Sequence, residues 1–249
     1  MDKIPASIVI ISFNAARTIQ QCIESALKIT DDIIVVDSGS TDNTQQIVKQ
    51  LGATLIQEKW HGYSENKTIG NNAAKYDWIL SLDSDEVLSE ELIQSVRKIN
   101  FDISAAYVLK RLNYFGNKPI HFGAFKNDWV LRIFNKNYSF WDNAVVHEII
   151  VHNQSLPIIQ LKGNLQHYTS ENFNSFSEKQ KKYAQLMADK YFAQGKKVTF
   201  IKCYFSPIFN FVQNYFFLGG FLDGINGFRL AIVYAKYTYH KYNFLKSKY

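Results

Sequence analysis

Two carboxylates, Asp83 and Asp85, flank Ser84 at the end of the apolar run Trp78-Ile79-Leu80-Ser81-Leu82. Such a run reads as a buried strand, and open α/β sheets bind ligands at the carboxyl ends of their strands. In an extended segment residues i and i+2 share a face, so both carboxylates can approach one hard cation. A divalent ion held that way keeps sites free for phosphate oxygens, which suits enzymes that bind sugar nucleotides and neutralise a diphosphate leaving group. Asp-x-Asp is also an ordinary loop and helix-start sequence, so the surrounding elements must carry the reading.

Those elements alternate. The run 7–12 reads as a first strand, followed by a helix that Asn14 can cap and whose apolar residues Ile19, Cys22, Ile23 and Ala26 recur at helical spacing. Ile33-Ile34-Val35-Val36 reads as a second strand ending at Asp37, before the turn-forming Ser38-Gly39-Ser40-Thr41-Asp42. A helix from near Asp42 closes at Gly52, residues 54–57 supply a third strand, and Ser64 caps a helix running to about Lys75. The run 78–82 is a fourth strand. Ser89 then opens a helix with Glu90 and Glu91 at its positive end and Arg97 and Lys98 at its negative end. Parallel strands need crossover connections, so this order predicts an α/β fold over 1–100: a mostly parallel sheet with helices on both faces.

From 101 to 170 the pattern changes to shorter strand-like runs, 105–109, 129–134 and 145–151, which predict an antiparallel extension forming the acceptor side of a cleft. Residues 171–249 are expected to be helical. There, 177–194 places Tyr183, Leu186, Met187 and Tyr191 on one side and ends at Gly195. Residues 203–222 contain no charge, but Pro207, Asn210, Gln213, Asn214, Gly219 and Gly220 interrupt them, which favours a helical pair lying in a membrane interface over a spanning helix. Packing of these aromatics on the globular domain is the alternative.

The 249 residues carry a formal charge of +6. Such a balance admits nucleic acid, anionic lipid or nucleotide substrates as partners. Sixteen Phe/Tyr and six Lys/Arg against the single acid Asp223 fall within 200–249, a composition suited to a membrane surface. Cys22 and Cys203 show no metal or redox spacing and fit a reducing compartment, and the short run 8–11 resembles a first strand more than a signal peptide.

The strings Val9-Ile10-Ile11-Ser12-Phe13-Asn14, Ile34-Val35-Val36-Asp37-Ser38-Gly39-Ser40-Thr41-Asp42 and Leu80-Ser81-Leu82-Asp83-Ser84-Asp85-Glu86 together resemble family 2 glycosyltransferases of GT-A fold. Trp60-His61-Gly62-Tyr63-Ser64-Glu65-Asn66-Lys67, Val146-His147-Glu148 and Gly220-Phe221-Leu222-Asp223-Gly224 resemble the small bacterial subgroup that adds a sugar to the lipopolysaccharide inner core. That resemblance implies a donor site in which Asp37 hydrogen-bonds the uracil of a UDP-sugar, Ser12 and Asn14 line the nucleotide pocket, and Lys67 contacts the phosphates. Capping by Asn14 accounts for that residue equally well. Asp83 and Asp85 take the metal role with Mg2+ or Mn2+, and His147 is a further metal or phosphate ligand. Inverting transfer needs a base for the acceptor hydroxyl. Glu148 is the choice and Asp128 the runner-up, with Arg132 available to acceptor phosphate.

The expected protein is a non-processive, inverting hexosyltransferase, peripheral on the cytoplasmic face of the cell membrane, moving glucose from UDP-glucose to a lipid-linked glycan, with no nucleic-acid partner. A polyprenyl phosphate or protein acceptor, a nucleotidyltransferase, and a non-catalytic binding module using the basic tail are the rival readings. The absence of a Gly-rich phosphate loop disfavours the nucleotidyltransferase.

Overall fold

The computed structural model describes residues 3–101, 105–142, 149–152 and 155–249. In chain order the elements are β1 (Ser7–Ser12), α1 (Ile19–Leu27), β2 (Ile33–Asp37), α2 (Thr44–Gln50), β3 (Thr54–Gln57), α3 (Tyr63–Ala73), β4 (Trp78–Asp83), β5 (Glu86–Leu88) and α4 (Glu90–Arg97). They continue with β6 (Ala106–Phe115), β7 (Lys118–Ile120), β8 (Trp129–Asn135), β9 (Ser139–Trp141), β10 (Ile150–His152), β11 (Ile158–Ser170), α5 (Phe173–Ala193), α6 (Phe200–Val212) and α7 (Gly224–Lys246). The chain forms two compact units, one of residues 1–111 and 129–167, the other of 112–128 and 168–249.

In the first unit the strands run in the order β3-β2-β1-β4-β8-β6-β11-β5. The first four are parallel, as the alternating pattern predicts, and the pairs β4–β8, β8–β6 and β11–β5 are antiparallel. Both faces are covered, and the period of two along β1 shows how. Ile8 and Ile10 join one core with Ile19, Cys22, Ile23 and Ala26 of α1 and Leu92, Ile93 and Val96 of α4. Val9 and Ile11 join another with Val36, Ile79, Phe134 and Trp141, against which Ile69 of α3 packs. Gly70 sets the approach of α3 to β1: a Cβ there would stand 2.4 Å from Val9 Cγ1.

Several expected helix ends move by a few residues, for local reasons. Asn14 does not cap α1, whose N-cap is Thr18; Asn14 is instead in the left-handed region at φ 49°, and its Oδ1 accepts from the Thr41 N–H at 2.8 Å. Gly62, at φ 115°, precedes α3, which places Ser64 inside the first turn and not at the cap. Ser89 does cap α4, accepting from the Leu92 N–H at 3.3 Å, and Gly52 closes α2 at φ 75°.

In the second unit β7 pairs with the end of β6, and Phe115, Ile120, Phe176, Leu230 and Val233 form the core. Helix α5 begins at Phe173, capped by Asn172, which accepts from the Asn174 and Ser175 N–H groups. It buries Phe176, Ala184 and Ala188, with Tyr183, Met187 and Tyr191 half-buried beside them. Leu186 faces solvent, while α5 packs on α7 with Ala184 and Ala188 buried. Helix α6 continues through a π turn over Gln213–Phe217, and Gly219 at φ 76° ends it. Gly227 is a close-approach position: a Cβ there would lie 1.8 Å from the Gly220 carbonyl oxygen. Among the described residues no single helix is long and apolar enough to cross a membrane; Phe200–Phe217 and Gly220–Lys246 pass by length and composition only as a pair, bent by 71°.

Candidate active site

Strand β4 ends at Asp83, and the chain turns through Ser84 and Asp85 before β5 begins. The two carboxylates therefore do not belong to one extended segment, and each has its own partners. Lys67 Nζ lies 3.1 Å from Asp83 Oδ1, and Arg132 Nη2 lies 2.8 Å from Asp83 Oδ2. Arg132 also reaches Glu86 Oε1 at 2.7 Å, and Arg111 approaches the same oxygen at 3.6 Å. The other Glu86 oxygen accepts the Asp83 backbone N–H at 2.9 Å.

This network is built inside the fold. Lys67 has no exposed surface, and its ammonium stands 4.5 Å from the centroid of the Trp141 ring. Glu86 is likewise fully buried and Arg132 nearly so. A buried charge persists only when paired, and here each has at least one opposite partner. Burial alone would raise the Asp83 carboxyl pKa; Lys67 and Arg132 outweigh it and hold the group well below the usual carboxylate range. Burial would likewise weaken the Arg132 charge, but Glu86 and Asp83 keep it protonated. The Cys22 thiol, under the end of β4, is pushed up by burial and then by the charges of Glu86, Asp85 and Asp83.

Asp85 keeps about a third of its side chain exposed, and His167 Nε2 stands 3.4 Å from its Oδ2. The pairing of β11 with β5, which sets His167 opposite Glu86, brings the imidazole there. A carboxylate and an imidazole facing each other at a strand end suit a divalent cation whose other positions go to phosphate. Among the described residues no three of His, Cys, Asp and Glu come together as a complete protein cage.

At the ends of β1 and β2, Asp37 is fully buried and accepts from the Ser12 hydroxyl at 2.8 Å, the Ser40 N–H at 2.9 Å, Gln45 Nε2 at 2.7 Å and the Ser40 hydroxyl. Burial alone would raise its pKa, but these donors hold it below the ordinary value. Phe13, between Ser12 and Asn14, exposes 60% of its surface at the same strand end.

Of the residues singled out in the sequence, Lys67 and Asp83 meet directly, and Ser12 meets Asp37. Lys67 faces Asp83 and Trp141, not open solvent. Arg132, read as available to acceptor phosphate, is instead committed to Asp83 and Glu86, because the register Leu80↔Ile133 carries it toward the carboxyl end of β4. Asp128 belongs to the second unit and accepts from Asn113 Nδ2 at 2.8 Å. His147 and Glu148 lie outside the described residues. Glu86, Arg111 and His167 are additions. The signal for Glu86 was three acids within four residues at a strand end; for His167 no local signal exists, since only strand pairing brings it to Asp85.

Residues 7–157 match the family model Glycosyl transferase family 2. An uncharacterized glycosyltransferase of Rickettsia felis is 33% identical over 94% of this chain and 86% of its own length. LpsC of Rhizobium meliloti, a lipopolysaccharide core biosynthesis glycosyltransferase, is 29% identical over 95% of this chain and 90% of its own. The crystal structure of TarS from S. aureus shares the fold, with a TM-score of 0.51 and 14% identity over 92% of this chain; the match spans about half of the TarS chain, 55%.

Proposed function

This chain belongs to glycosyltransferase family 2 and is a glycosyltransferase, and we propose that it transfers glucose from UDP-glucose, with inversion, to a lipid-linked acceptor of the lipopolysaccharide core type. The observation that carries the reading is the strand-end site in which Asp83 is held ionised by two buried cations while Asp85, about a third exposed, faces His167 beside it. Asp85 and His167 would hold Mg2+ or Mn2+, in place of the Asp83–Asp85 pair expected from the spacing, because Asp83 is ion-paired to Lys67 and Arg132; the ion when bound neutralises charge on a diphosphate leaving group. Lys67, Arg132 and Glu86 fix the Asp83 carboxylate so that it presents one orientation to the donor. The exposed Phe13 ring offers a stacking face for the base, and Asp37, buried with both oxygens engaged by Ser12, Ser40 and Gln45, ties the ends of β1 and β2 together there in place of the direct uracil hydrogen bond expected of it. Glu148 takes the acceptor proton; Asp128, the runner-up from the sequence, lies in the second unit, where it accepts from Asn113 Nδ2.

The acceptor assignment draws on the name of LpsC and on the exposed aromatic surface of α6, which we read as lying on the cytoplasmic face of the cell membrane. The test is nucleotide release from UDP-, GDP- and CMP-sugars with Mn2+, with and without core lipid, for wild type, Asp85→Ala, Glu148→Gln and Asp128→Asn. UDP release that requires the lipid and falls at least about a hundredfold in Asp85→Ala is the expected result. Release of another nucleotide overturns the donor assignment, and activity on polyprenyl phosphate in place of core lipid overturns the acceptor.

A further inference from the structure

The second unit contains a cavity of about 630 Å³ whose wall is shared by β6, β7, α5 and α7. Its size is that of a small-molecule site. Phe115 and Phe173 stack at 4.5 Å in its lining, and the Arg229 guanidinium sits 6.0 Å from the Phe173 ring centroid. Lys118 and Lys236 add two more cations, and Asn172 and Asn226 add amides, against the single acid Glu171. The surrounding unit is strongly basic, with fourteen Lys/Arg against five Asp/Glu.

Spacing along α7 relates this cavity to the apolar surface. Asn226, Arg229, Val233 and Lys236 recur every three or four residues and line it. Ile232 joins that lining, whereas Ile225, one residue before Asn226 and about 100° round the helix, is 61% exposed, and Phe228 turns to α6, edge-on to Phe211 and Tyr215 at 5.8 and 5.6 Å. An exposed Ile225 that enters acyl chains would thus leave the cationic cavity at the level of the headgroups.

We propose that this cavity is a binding site for a phosphorylated sugar, presented as the headgroup of the acceptor lipid. The cations take the phosphate, while the amides and the aromatic edge meet hydroxyls and the apolar face of the sugar. The proposal deepens the membrane reading above and rests on it for the source of the ligand, but not for its chemistry.

Two assays separate the parts. In the first, glucose 6-phosphate and glucose are titrated into the full chain and into R229Q/K236Q, with helicity checked by circular dichroism. Preferential binding of the phosphate, weakened at least about tenfold in the folded variant, is expected; equal binding of the two sugars, or no loss in the variant, overturns the site. In the second, phosphatidylcholine vesicles with and without lipid A are floated with wild type, R229Q/K236Q and F205S/F217S. Lipid A selectivity lost in R229Q/K236Q supports the headgroup as source. Selectivity retained there, with glucose 6-phosphate binding lost, overturns that source in favour of a free sugar phosphate. Loss of all vesicle binding in F205S/F217S with glucose 6-phosphate binding intact supports the site as a feature separate from the membrane-binding surface. If the wild type binds no vesicle at all, the membrane reading and the headgroup source fall together, and the first assay alone decides the site.

Discussion

The first unit hides Lys67, Arg132 and Glu86 in its interior, whereas the second leaves Phe205, Ile208, Phe209 and Phe217 at least 62% exposed. Net charge divides the same way: the first unit carries fourteen Lys/Arg and seventeen Asp/Glu, the second fourteen and five. Ordinary partitioning puts charge outside and large apolar groups inside. Each inversion marks a place where folding stability has yielded to another requirement. Buried ions hold Asp83 in one protonation state and one orientation, while exposed rings gain nothing in water and become favourable only against an apolar phase.

Removing charge from the first unit and removing apolar surface from the second should therefore differ greatly in effect on stability. The largest loss is expected for Glu86→Ala, which leaves Arg132 with one partner in the interior; about 3–5 kcal/mol should be lost in urea unfolding. Gly70→Ala forces α3 away from β1 and carries Lys67 with it, at a cost of about 1–3 kcal/mol in the same measurement. Acid should act through the same unit. Asp37 and Asp83 have depressed folded-state pKa values, so their contribution is complete above the unfolded value of about 3.9 and is lost as pH falls below it. Thermal melts between pH 5 and 2.5 should therefore fall less steeply for Asp83→Asn than for wild type. The smallest effect belongs to F205S/F217S, within about 0.5 kcal/mol of wild type. A large destabilisation there would mean that these rings pack in the protein and would erase the contrast.

Strands β1, β2 and β4 were legible because doubly covered parallel strands are largely apolar, and the boundaries at Asp37 and Asp83 were marked by a change of residue type; β3, half-exposed at the sheet edge, was legible only from its place after the Gly52 helix end. Local backbone chemistry was less so: Asn14 and Ser64 are both good capping residues, yet one occupies a left-handed turn and the other follows a positive-φ glycine. The candidate site was half visible. Asp83 and Asp85 announced themselves by spacing, but the partners that give each a separate character, Arg132 on β8 and His167 on β11, arrive through antiparallel pairings distant in sequence. In α5, size misled. Leu186 was placed on the apolar side with Tyr183, Met187 and Tyr191, but it is exposed, and Ala184 and Ala188, not singled out by the pattern, are the residues buried there.

The second unit is discontinuous, its residues 112–128 lying far upstream of 168–249. On the ribosome Phe115 and Ile120 emerge long before Phe176, Leu230 and Val233, the residues that cover them. At roughly 5–20 residues per second that interval lasts several seconds or more. The nascent chain thus carries the β6–β7 hairpin, with Phe115 and Ile120, before α5 and α7, the helices that cover those side chains, have been made.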